Sequence, residues 1–599
     1  MKTVAIIPVR INGSSTERML GNAFGMTPLE RTATVLKLSS IFHEILIVAA
    51  DEEHADYYTE IARKTHAKLF IGEPEDLNKR IRKGLQKFGF SDGVAVRVNA
   101  ENMFILPTQI EKMVESHFEK NADYTYSSDA PNGLVPDVVS IPGLLEFSGT
   151  GKPYYLELRN GATGRTLNRI EYGIPKEKIS FTALEQFDAE LAKQITITRQ
   201  LKTGLNEFLM EAREIYRTAM EQAPVKKKRD LNLKLNSIES ALMLEHLYSM
   251  PPYLGIGTSS LCNLKCNTCL QQFSGFTEDE FQNIFDGNFN FLNTTFEKTA
   301  NGSYKKKTKA LSPEAFSHIE KVFFPYTKEC CFGAYGEPLL NENFAGYIEK
   351  AKSWDIFTRC ISNGMLLSGD KAKRLSSGIL DAITISFDGA KKETFESIRI
   401  GSDFDRICGN IHSFAELAKC NGKKNTLITL GVTISTVNIR ELPDIVRLAR
   451  KLGADTVFAC YAVTTPFMKR EHSLYSHMEE VAEILHETRI IASREGIAVD
   501  LPRTSLDAPT TGKTCLYPWE QVAVIIGGMI QQCYLISHME TMNGQGFSAI
   551  WNGDFFKKLR RSFAGKEPLI ENCVNCSLDV VRDHTNKKSF FITADDNPY

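Results

Sequence analysis

The stretch GTSSLCNLKCNTC, residues 257–269, carries three cysteines at spacings of four and three residues. It follows an apolar run that predicts a β-strand, and a compact loop there can wrap three sulfurs around one face of a cubane cluster. Three protein ligands leave one iron of a four-iron cluster open, whereas an electron-transfer cluster is normally held by four cysteines. An open iron can chelate the amino and carboxylate groups of methionine. Cys262, Cys266 and Cys269 therefore predict a [4Fe–4S] cluster that holds S-adenosylmethionine (SAM).

Two other readings of these three thiols are a structural zinc site and a set of incidental thiols. Structural zinc takes four closed ligands, usually as paired CxxC units, and no fourth ligand follows nearby. The regular spacing on one loop favours the cluster over both alternatives.

The chain from residue 251 onward repeats a strand–helix unit six times. Strands are predicted at residues 253–259, 329–334, 357–361, 381–387, 427–434 and 455–461. Helices are predicted at residues 313–326, 342–354, 370–380, 404–420, 439–452 and 477–495. Six such units predict a (β/α)6 partial barrel, and the loops after the strand C-termini form the active site in barrels of this kind.

The CxxxCxxC loop after a first strand resembles the signature of the radical SAM superfamily, and the resemblance covers about residues 251–576. It extends to GAYGEPLLN (333–341), ISNG (361–364), ITISFDGAKKETFESIR (383–399) and GVTIS (431–435). The resemblance implies the following SAM contacts: Gly336 and Glu337 at the amino group, Ser362 and Asn363 near the sugar, Ser386 and Asp388 at the ribose, and Asn438 near the adenine. One departure is Thr268, since many members have an aromatic residue there.

This resemblance also implies a reaction and its partners. One electron cleaves bound SAM to methionine and a 5′-deoxyadenosyl radical, which abstracts hydrogen from an unreactive C–H bond. A reducing partner such as ferredoxin or flavodoxin would supply the electron. No catalytic proton donor or acceptor is predicted.

A second cysteine group comprises Cys515, Cys533, Cys573 and Cys576. With the intervening stretch SAIWNGDFFKKLRRSFAG, it resembles the SPASM/twitch extension of radical SAM enzymes. Four thiolates would fully ligate one auxiliary [4Fe–4S] cluster, and a structural zinc with the same ligands is the alternative. Because no cysteine follows Cys576, we expect one auxiliary cluster.

The N-terminal segment alternates predicted strands (3–8, 44–49, 67–71, 93–98) with helices, which predicts a doubly wound α/β sheet. VAIIPVRINGSSTERMLGNAFG resembles the opening of SpsF-like cytidylyltransferases, with Arg10, Gly13, Ser14 and Arg18 retained. The family's lysine is Asn22 here, and Glu101 and Asp137 stand at its two acidic positions. The resemblance implies a site for Mg²⁺ and CTP or a CMP-sugar at Arg10, Arg18, Glu101 and Asp137. The missing cation favours a binding or scaffolding role over active transfer.

The order of these segments resembles the spiro-SPASM architecture. We expect four domains: residues 1–151, SpsF-like; 152–250, a mostly helical extension and linker; 251–505, the barrel; and 506–599, the auxiliary domain. Residues 273–310 form either a lid or substrate-binding insertion, or a surface loop.

Composition bounds the class of protein. The chain has 599 residues and a net charge of −2. This charge gives no indication of nucleic-acid binding, which depends on an excess of positive charge. No apolar run reaches the roughly 18 residues of a membrane span. The thirteen cysteines are an odd number and all lie from Cys262 onward, which argues against a disulfide framework and for the cytoplasm.

Two substrate classes stay open for the predicted enzyme. The N-terminal domain favours an envelope or nucleotide-linked sugar, whose C–H bond would be oxidised, whereas SPASM extensions often accompany peptide or protein modification. A non-catalytic iron–sulfur redox sensor or scaffold is the alternative from another class, and a sensor would need none of the SAM-contact motifs.

Overall fold

A computed structural model of the chain divides into two compact units, Met1–Leu242 and Met243–Tyr599. It describes residues 2–11, 16–20, 26–50, 52–127, 129–131, 133–147, 153–155, 165–171, 195, 200–267, 269, 296–300, 302, 304–306, 309–333, 336–420, 426–462, 472–474, 477–502, 515–533, 539–542, 546–570 and 573.

The first unit is built on a seven-stranded sheet with the order β3-β2-β1-β4-β6-β5-β7. Its strands are β1 (Thr3–Val9), β2 (Glu44–Ala49), β3 (Lys68–Ile71), β4 (Val94–Arg97), β5 (Tyr124–Ser127), β6 (Asp137–Ser140) and β7 (Leu167–Ile170). Its helices are α1 (Thr16–Leu20), α2 (Pro28–Leu38), α3 (Ala55–Thr65), α4 (Leu77–Lys87), α5 (Pro107–Glu119), α6 (Ile141–Glu146), α7 (Leu205–Gln222) and α8 (Val225–Ala241).

Both faces of this sheet are covered, as its apolar strands predict. Along β1, Ala5 and Ile7 pack into one core layer, and Val4 and Ile6 pack into the other. Strands buried on both faces read as continuous apolar runs because successive side chains point to opposite sides. The doubly wound α/β prediction is therefore confirmed.

One strand of the first unit departs from the parallel pattern. β6 lies between β4 and β5 and pairs antiparallel with both. The connection from β5 to β6 is shorter than the dozen or so residues of a helical crossover. The reversal brings Asp137 at the start of β6 opposite Arg97 at the end of β4.

The second unit contains a ten-stranded sheet with the order β16-β15-β14-β13-β12-β11-β8-β17-β18-β19 and a separate hairpin of β9 and β10. Its strands are β8 (Tyr253–Ile256), β9 (Phe296–Lys298), β10 (Tyr304–Lys306), β11 (Glu329–Phe332), β12 (Phe357–Ser362), β13 (Ala382–Ser386), β14 (Leu427–Ile434), β15 (Thr456–Tyr461), β16 (Ala498–Asp500), β17 (Gln521–Ile525), β18 (Met529–Gln531) and β19 (Met539–Thr541). Its helices are α9 (Pro313–Phe323), α10 (Phe344–Ser353), α11 (Gly369–Leu375), α12 (Lys392–Ile398), α13 (Phe404–Cys420), α14 (Leu442–Leu452), α15 (Met478–Glu495), α16 (Tyr517–Glu520), α17 (Phe547–Trp551) and α18 (Asp554–Phe563).

All six predicted barrel strands are present and pair in parallel in chain order, from β8 to β15. This confirms the (β/α)6 partial barrel. The sheet continues beyond the sequence prediction, because β17 pairs in parallel with β8. Gly255 makes this pairing close, since a Cβ there would lie 3.1 Å from the Cβ of Ala523.

Candidate active site

The cluster loop, residues 257–269, leaves the C-terminal end of β8 and is held by the residues that end α12. Lys265 N donates to Ile400 O at 2.9 Å, and Asn267 N donates to Ile398 O at 3.1 Å. The Asn267 side chain adds a bond to Ser397 O at 3.2 Å. The loop that carries the three cysteines is thereby fixed against the loop region after β13.

Two of the three thiols lie beside side-chain donors. Cys262 Sγ faces Asn363 Nδ2 at 3.7 Å and accepts from Leu264 N at 3.4 Å. Cys266 Sγ lies 4.0 Å from Arg399 Nη1. These N–H groups are directed at sulfur, which is the arrangement that stabilises a ligating thiolate.

Burial opposes ionisation of these thiols in the absence of a metal. It raises the pKa of Cys262, and it raises the pKa of Cys266 to about 11. The charge of Cys269 raises both pKa values further. A positively charged iron cluster would offset both effects.

Within the described ranges, no three His, Cys, Asp or Glu side chains are arranged to hold one metal ion. Thr268 lies outside the described residues.

Three polar side-chain atoms in or beside the loop are buried without a hydrogen-bond partner among the described residues. Thr258 Oγ1, Asn267 Oδ1 and Arg399 Nε are buried and have no hydrogen-bond partner in the part of the chain that the structure describes. Buried polar atoms are normally paired, so such atoms indicate a missing partner. The residues present thus fit a cluster with a polar ligand such as SAM.

Gly336, in the motif GAYGEPLLN, allows the backbone of that motif to lie in close contact with the cluster loop. Its φ is +87°, and a Cβ would overlap the carbonyl oxygens of Ser259 and Leu261. Only glycine fits such a close approach without strain. The next residue, Glu337, donates its backbone N–H to Leu261 O at 2.6 Å.

The carboxylate of Glu337 joins the second and third motifs. It accepts from Ser362 Oγ at 2.8 Å, from Asn363 N at 2.8 Å and from Leu339 N at 3.1 Å. Glu337 is 1% exposed, and burial raises its pKa although these bonds lower it. The structure thus brings together Gly336, Glu337, Ser362 and Asn363. The Glu337 carboxylate and the Ser362 hydroxyl, however, form hydrogen bonds within the protein.

Asn363 lies against the cluster loop. Its Nδ2 donates to Asn263 Oδ1 at 2.8 Å and faces Cys262 Sγ, and its Oδ1 accepts from Met365 N at 3.0 Å. The amide predicted to lie near the sugar therefore contacts a cysteine predicted to be a cluster ligand.

The fourth and fifth motifs meet at Asp388. Its Oδ1 accepts from Thr433 N at 2.7 Å, and its Oδ2 pairs with Arg399 Nη2 at 2.7 Å. Asn438 is fully buried, and its amide bonds the backbone at Asp388 O, Thr433 O and Ser435 N. Asn438 therefore links the backbone at the C-terminal ends of β13 and β14.

Ser386 is partly buried at the end of β13 opposite Gly431. Its place as the last residue of β13 is compatible with a ligand-facing position, and its assignment to the ribose stays a prediction.

Sequence reasoning missed Arg399. Its side chain is 12% exposed, and it joins Asp388 to Cys266. The only signal in the sequence was that Arg399 is the last residue of the motif ITISFDGAKKETFESIR. Arg399 lies eleven residues after Asp388, and no local sequence pattern links residues at that separation.

The second cysteine group is described in part. Cys515, Cys533 and Cys573 are partly buried and pack against the core of the second unit; Cys576 lies outside the described residues. The same region is anchored by Trp519 Nε1, which donates to Leu244 O at 2.8 Å, and by Trp551 Nε1, which donates to Ser249 O at 3.0 Å.

The predicted nucleotide site of the first unit is not a good metal site. Asp137 pairs with Arg97 at 3.1 Å, and the Arg97 guanidinium stacks 4.0 Å from the ring of Tyr155. A divalent cation at Asp137 would therefore lie beside a buried guanidinium. Burial also raises the pKa of Glu101, which disfavours its charged form. These residues do not fit Mg²⁺.

Arg10 is half exposed and lies 3.7 Å from Glu75. The Arg18 side chain, Gly13, Ser14 and Asn22 lie outside the described residues, as does most of the segment 273–310.

Family models match two parts of the chain. Residues 256–449 match the radical SAM superfamily, and residues 515–577 match SPASM, an iron–sulfur cluster-binding domain. The chain therefore carries a radical SAM domain and, after it, a SPASM domain, in agreement with the fold and with the loop of three cysteines.

Relatives agree with this assignment and cover the N-terminal region as well. The chain is 23% identical over 348 residues to the tungsten-containing aldehyde ferredoxin oxidoreductase cofactor-modifying protein of Pyrococcus furiosus, covering 54% of this chain and 87% of that protein. It is 25% identical over 251 residues to the PqqA peptide cyclase of Gluconobacter oxydans (40% and 67%). It is 28% identical over 104 residues to the spore coat polysaccharide biosynthesis protein SpsF of Bacillus subtilis (17% and 42%). The particular combination is thus an SpsF-like region followed by radical SAM and SPASM domains.

No helix among the described residues is both long enough and apolar enough to cross a membrane.

Proposed function

We propose that this radical SAM enzyme oxidises a C–H bond of an envelope or nucleotide-linked sugar. The observation that carries the enzymatic part is the set of three partly buried thiols on one loop, with Asn363 and Arg399 directing N–H groups at two of them. The unpaired polar atoms beside the loop support a polar ligand at the same place.

Different residues of the site would bind the cluster and position the backbone beside it. Cys262, Cys266 and Cys269 would hold the cluster, which supplies the electron for reductive cleavage of SAM to a 5′-deoxyadenosyl radical. Gly336 lets the backbone approach the loop closely, and Glu337 holds that backbone against the turn at Asn363.

SAM's nucleoside would lie along the ends of β13 and β14. Asp388 has each carboxylate oxygen engaged once, and each oxygen has a further lone pair for a ribose hydroxyl. Ser386 is the other candidate for that contact. Asn438 would act indirectly, by fixing the backbone at Asp388 and Thr433.

The similarity of the N-terminal region to SpsF, a spore coat polysaccharide biosynthesis protein, supports a sugar substrate.

An oxidation needs an electron acceptor. A cluster held by Cys515, Cys533, Cys573 and Cys576 would take the electron from the product radical, and a ferredoxin- or flavodoxin-like protein would supply the electron for SAM cleavage. The first unit would bind or present the substrate without metal-dependent nucleotidyl transfer, since its acidic residues do not fit Mg²⁺.

A peptide substrate is the second candidate. It is favoured by the similarity of 251 residues of the chain to the PqqA peptide cyclase of Gluconobacter oxydans.

The experiment is isotope transfer under anaerobic conditions. The reconstituted enzyme is incubated with SAM, dithionite and sugar nucleotides deuterated on the sugar carbons, and 5′-deoxyadenosine is analysed by mass spectrometry. Deuterium in 5′-deoxyadenosine is expected. Transfer from deuterated peptides alone would favour the second candidate, and a loaded cluster that cleaves no SAM would favour a non-catalytic iron–sulfur protein.

A further inference from the structure

The guanidinium of Arg399 lies between an acidic residue and a thiol of the cluster loop. Nη2 is 2.7 Å from Asp388 Oδ2, and Nη1 is 4.0 Å from Cys266 Sγ. The Arg399 side chain is only 12% exposed, so solvent screens its charge weakly.

The backbone on both sides of Arg399 fixes its distance from the loop. Ile398 O and Ile400 O accept from Asn267 N and Lys265 N, the residues that flank Cys266. The guanidinium and the thiol are therefore held by the same short stretch of chain.

The other end of this segment is also tied down. Glu441 accepts from Ala390 N at 2.8 Å, from Lys391 N at 3.0 Å and from Thr394 Oγ1 at 2.6 Å. With α12 clamped at its start by Glu441 and at its end by the cluster loop, Arg399 has little freedom to move away from Cys266.

A fixed cation near a ligating sulfur has a defined consequence. Reduction adds one negative charge to an iron–sulfur cluster, and net charge, hydrogen bonds to the sulfurs and solvent exposure set the potential. A positive charge about 4 Å from one ligand stabilises the reduced state more than the oxidised state, and the paired Asp388 carboxylate offsets part of this effect.

We propose that the positive charge of Arg399 raises the reduction potential of the cluster held by Cys262, Cys266 and Cys269. This inference rests on the proposed function only for the presence of that cluster. The pair with Asp388 directs the guanidinium and keeps it from turning towards solvent.

The test is a potentiometric titration of the reconstituted holoenzyme without SAM, followed by electron paramagnetic resonance. Arg399→Gln removes the charge, and Arg399→Lys keeps it. Arg374→Gln is the matched control, because Arg374 forms an exposed pair with Glu349 on the surface of the same unit. The same samples are assayed for iron, and thermal unfolding checks the fold.

Arg399→Gln is expected to shift the reduction equilibrium at least tenfold against the reduced cluster, a fall of about 59 mV for a one-electron couple. Arg399→Lys and Arg374→Gln are expected near the wild-type potential. If Arg399→Gln does not retain a cluster, a loaded Arg399→Lys enzyme at the wild-type potential supports the charge-based account.

An unchanged potential in a loaded Arg399→Gln enzyme would overturn the proposal, and so would loss of the cluster from both Arg399 variants. Because the potential is read without turnover, failure of the wild-type enzyme to cleave SAM would count against the proposed function alone.

Discussion

The carboxylate of Glu337 accepts the backbone N–H of Asn363 at 2.8 Å, which joins the turn after β11 to the turn after β12. Asn363 in turn directs its amide at Cys262, so the carboxylate is coupled through one residue to the cluster loop. Two motifs that are separate in the sequence are thereby joined beside Cys262.

Glu337→Gln should weaken that connection. The amide keeps one acceptor oxygen but turns an NH₂ towards existing donors, so the free energy of unfolding should fall by about 1–3 kcal/mol. Chemical denaturation of the anaerobic protein measures it. Glu349→Gln, in the exposed pair with Arg374, is the control and should cost less than about 1 kcal/mol. Equal losses in the two variants would contradict the role given to Glu337.

Gly336→Ala should destabilise the second unit. A positive φ costs an L-residue roughly 1–2 kcal/mol, and the new Cβ would overlap the carbonyl oxygens of Ser259 and Leu261. Gly346→Ala is the matched control, since Gly346 lies within α10 with no atom within 4 Å of a new Cβ; it should stabilise by about 0.5–1 kcal/mol. Denaturant midpoints should thus move in opposite directions, and a shift of both in the same direction would count against the close contact.

His117 should make the first unit sensitive to acid. Its ring is buried beside Thr125 Oγ1 at 2.9 Å, and burial lowers its pKa to about 4. Between that value and the ordinary 6.5, the unfolded chain binds a proton that the folded chain does not. The stabilisation is therefore complete above about pH 6.5 and falls by about 3 kcal/mol as the pH drops towards 4.

Urea midpoints at pH 7 and pH 5 measure this effect. His117→Gln should show a smaller drop than the wild type, whereas His486→Gln, at an exposed position on α15, should not differ from it. An equal drop in all three proteins would rule out His117 as the cause.

The pair of Arg97 and Asp137 leads us to expect no Mg²⁺-dependent binding of CTP. The Asp137 carboxylate is already neutralised by a buried guanidinium, and a divalent cation would be repelled by it. Calorimetric titration of CTP with and without Mg²⁺ tests this. Mg²⁺-dependent heat that disappears in Asp137→Asn would show that the pair opens and that the site is a working one.

Local sequence patterns predicted the elements that depend on them. The six barrel strands and the strands from β1 to β4 were predicted because apolar runs and their spacing reflect burial directly. The pairing of β17 with β8 joins Gln521 to Tyr253, and no local periodicity encodes a contact over that separation.

The candidate site was predictable to a similar degree. Short motifs indicated Gly336, Glu337 and Asn363, and the structure places all three against the cluster loop. They did not indicate Arg399 or the internal bonds of Asn438, because both depend on where the chain returns after a helix or a turn.

The most direct test of the central claim is production of 5′-deoxyadenosine by the anaerobically reconstituted protein with SAM and dithionite. The wild type should form 5′-deoxyadenosine and methionine. Cys266→Ala should form none and lose one cluster's share of iron, while Cys573→Ala should still cleave SAM. A wild-type protein with a loaded cluster at Cys262, Cys266 and Cys269 that releases no 5′-deoxyadenosine would contradict the account.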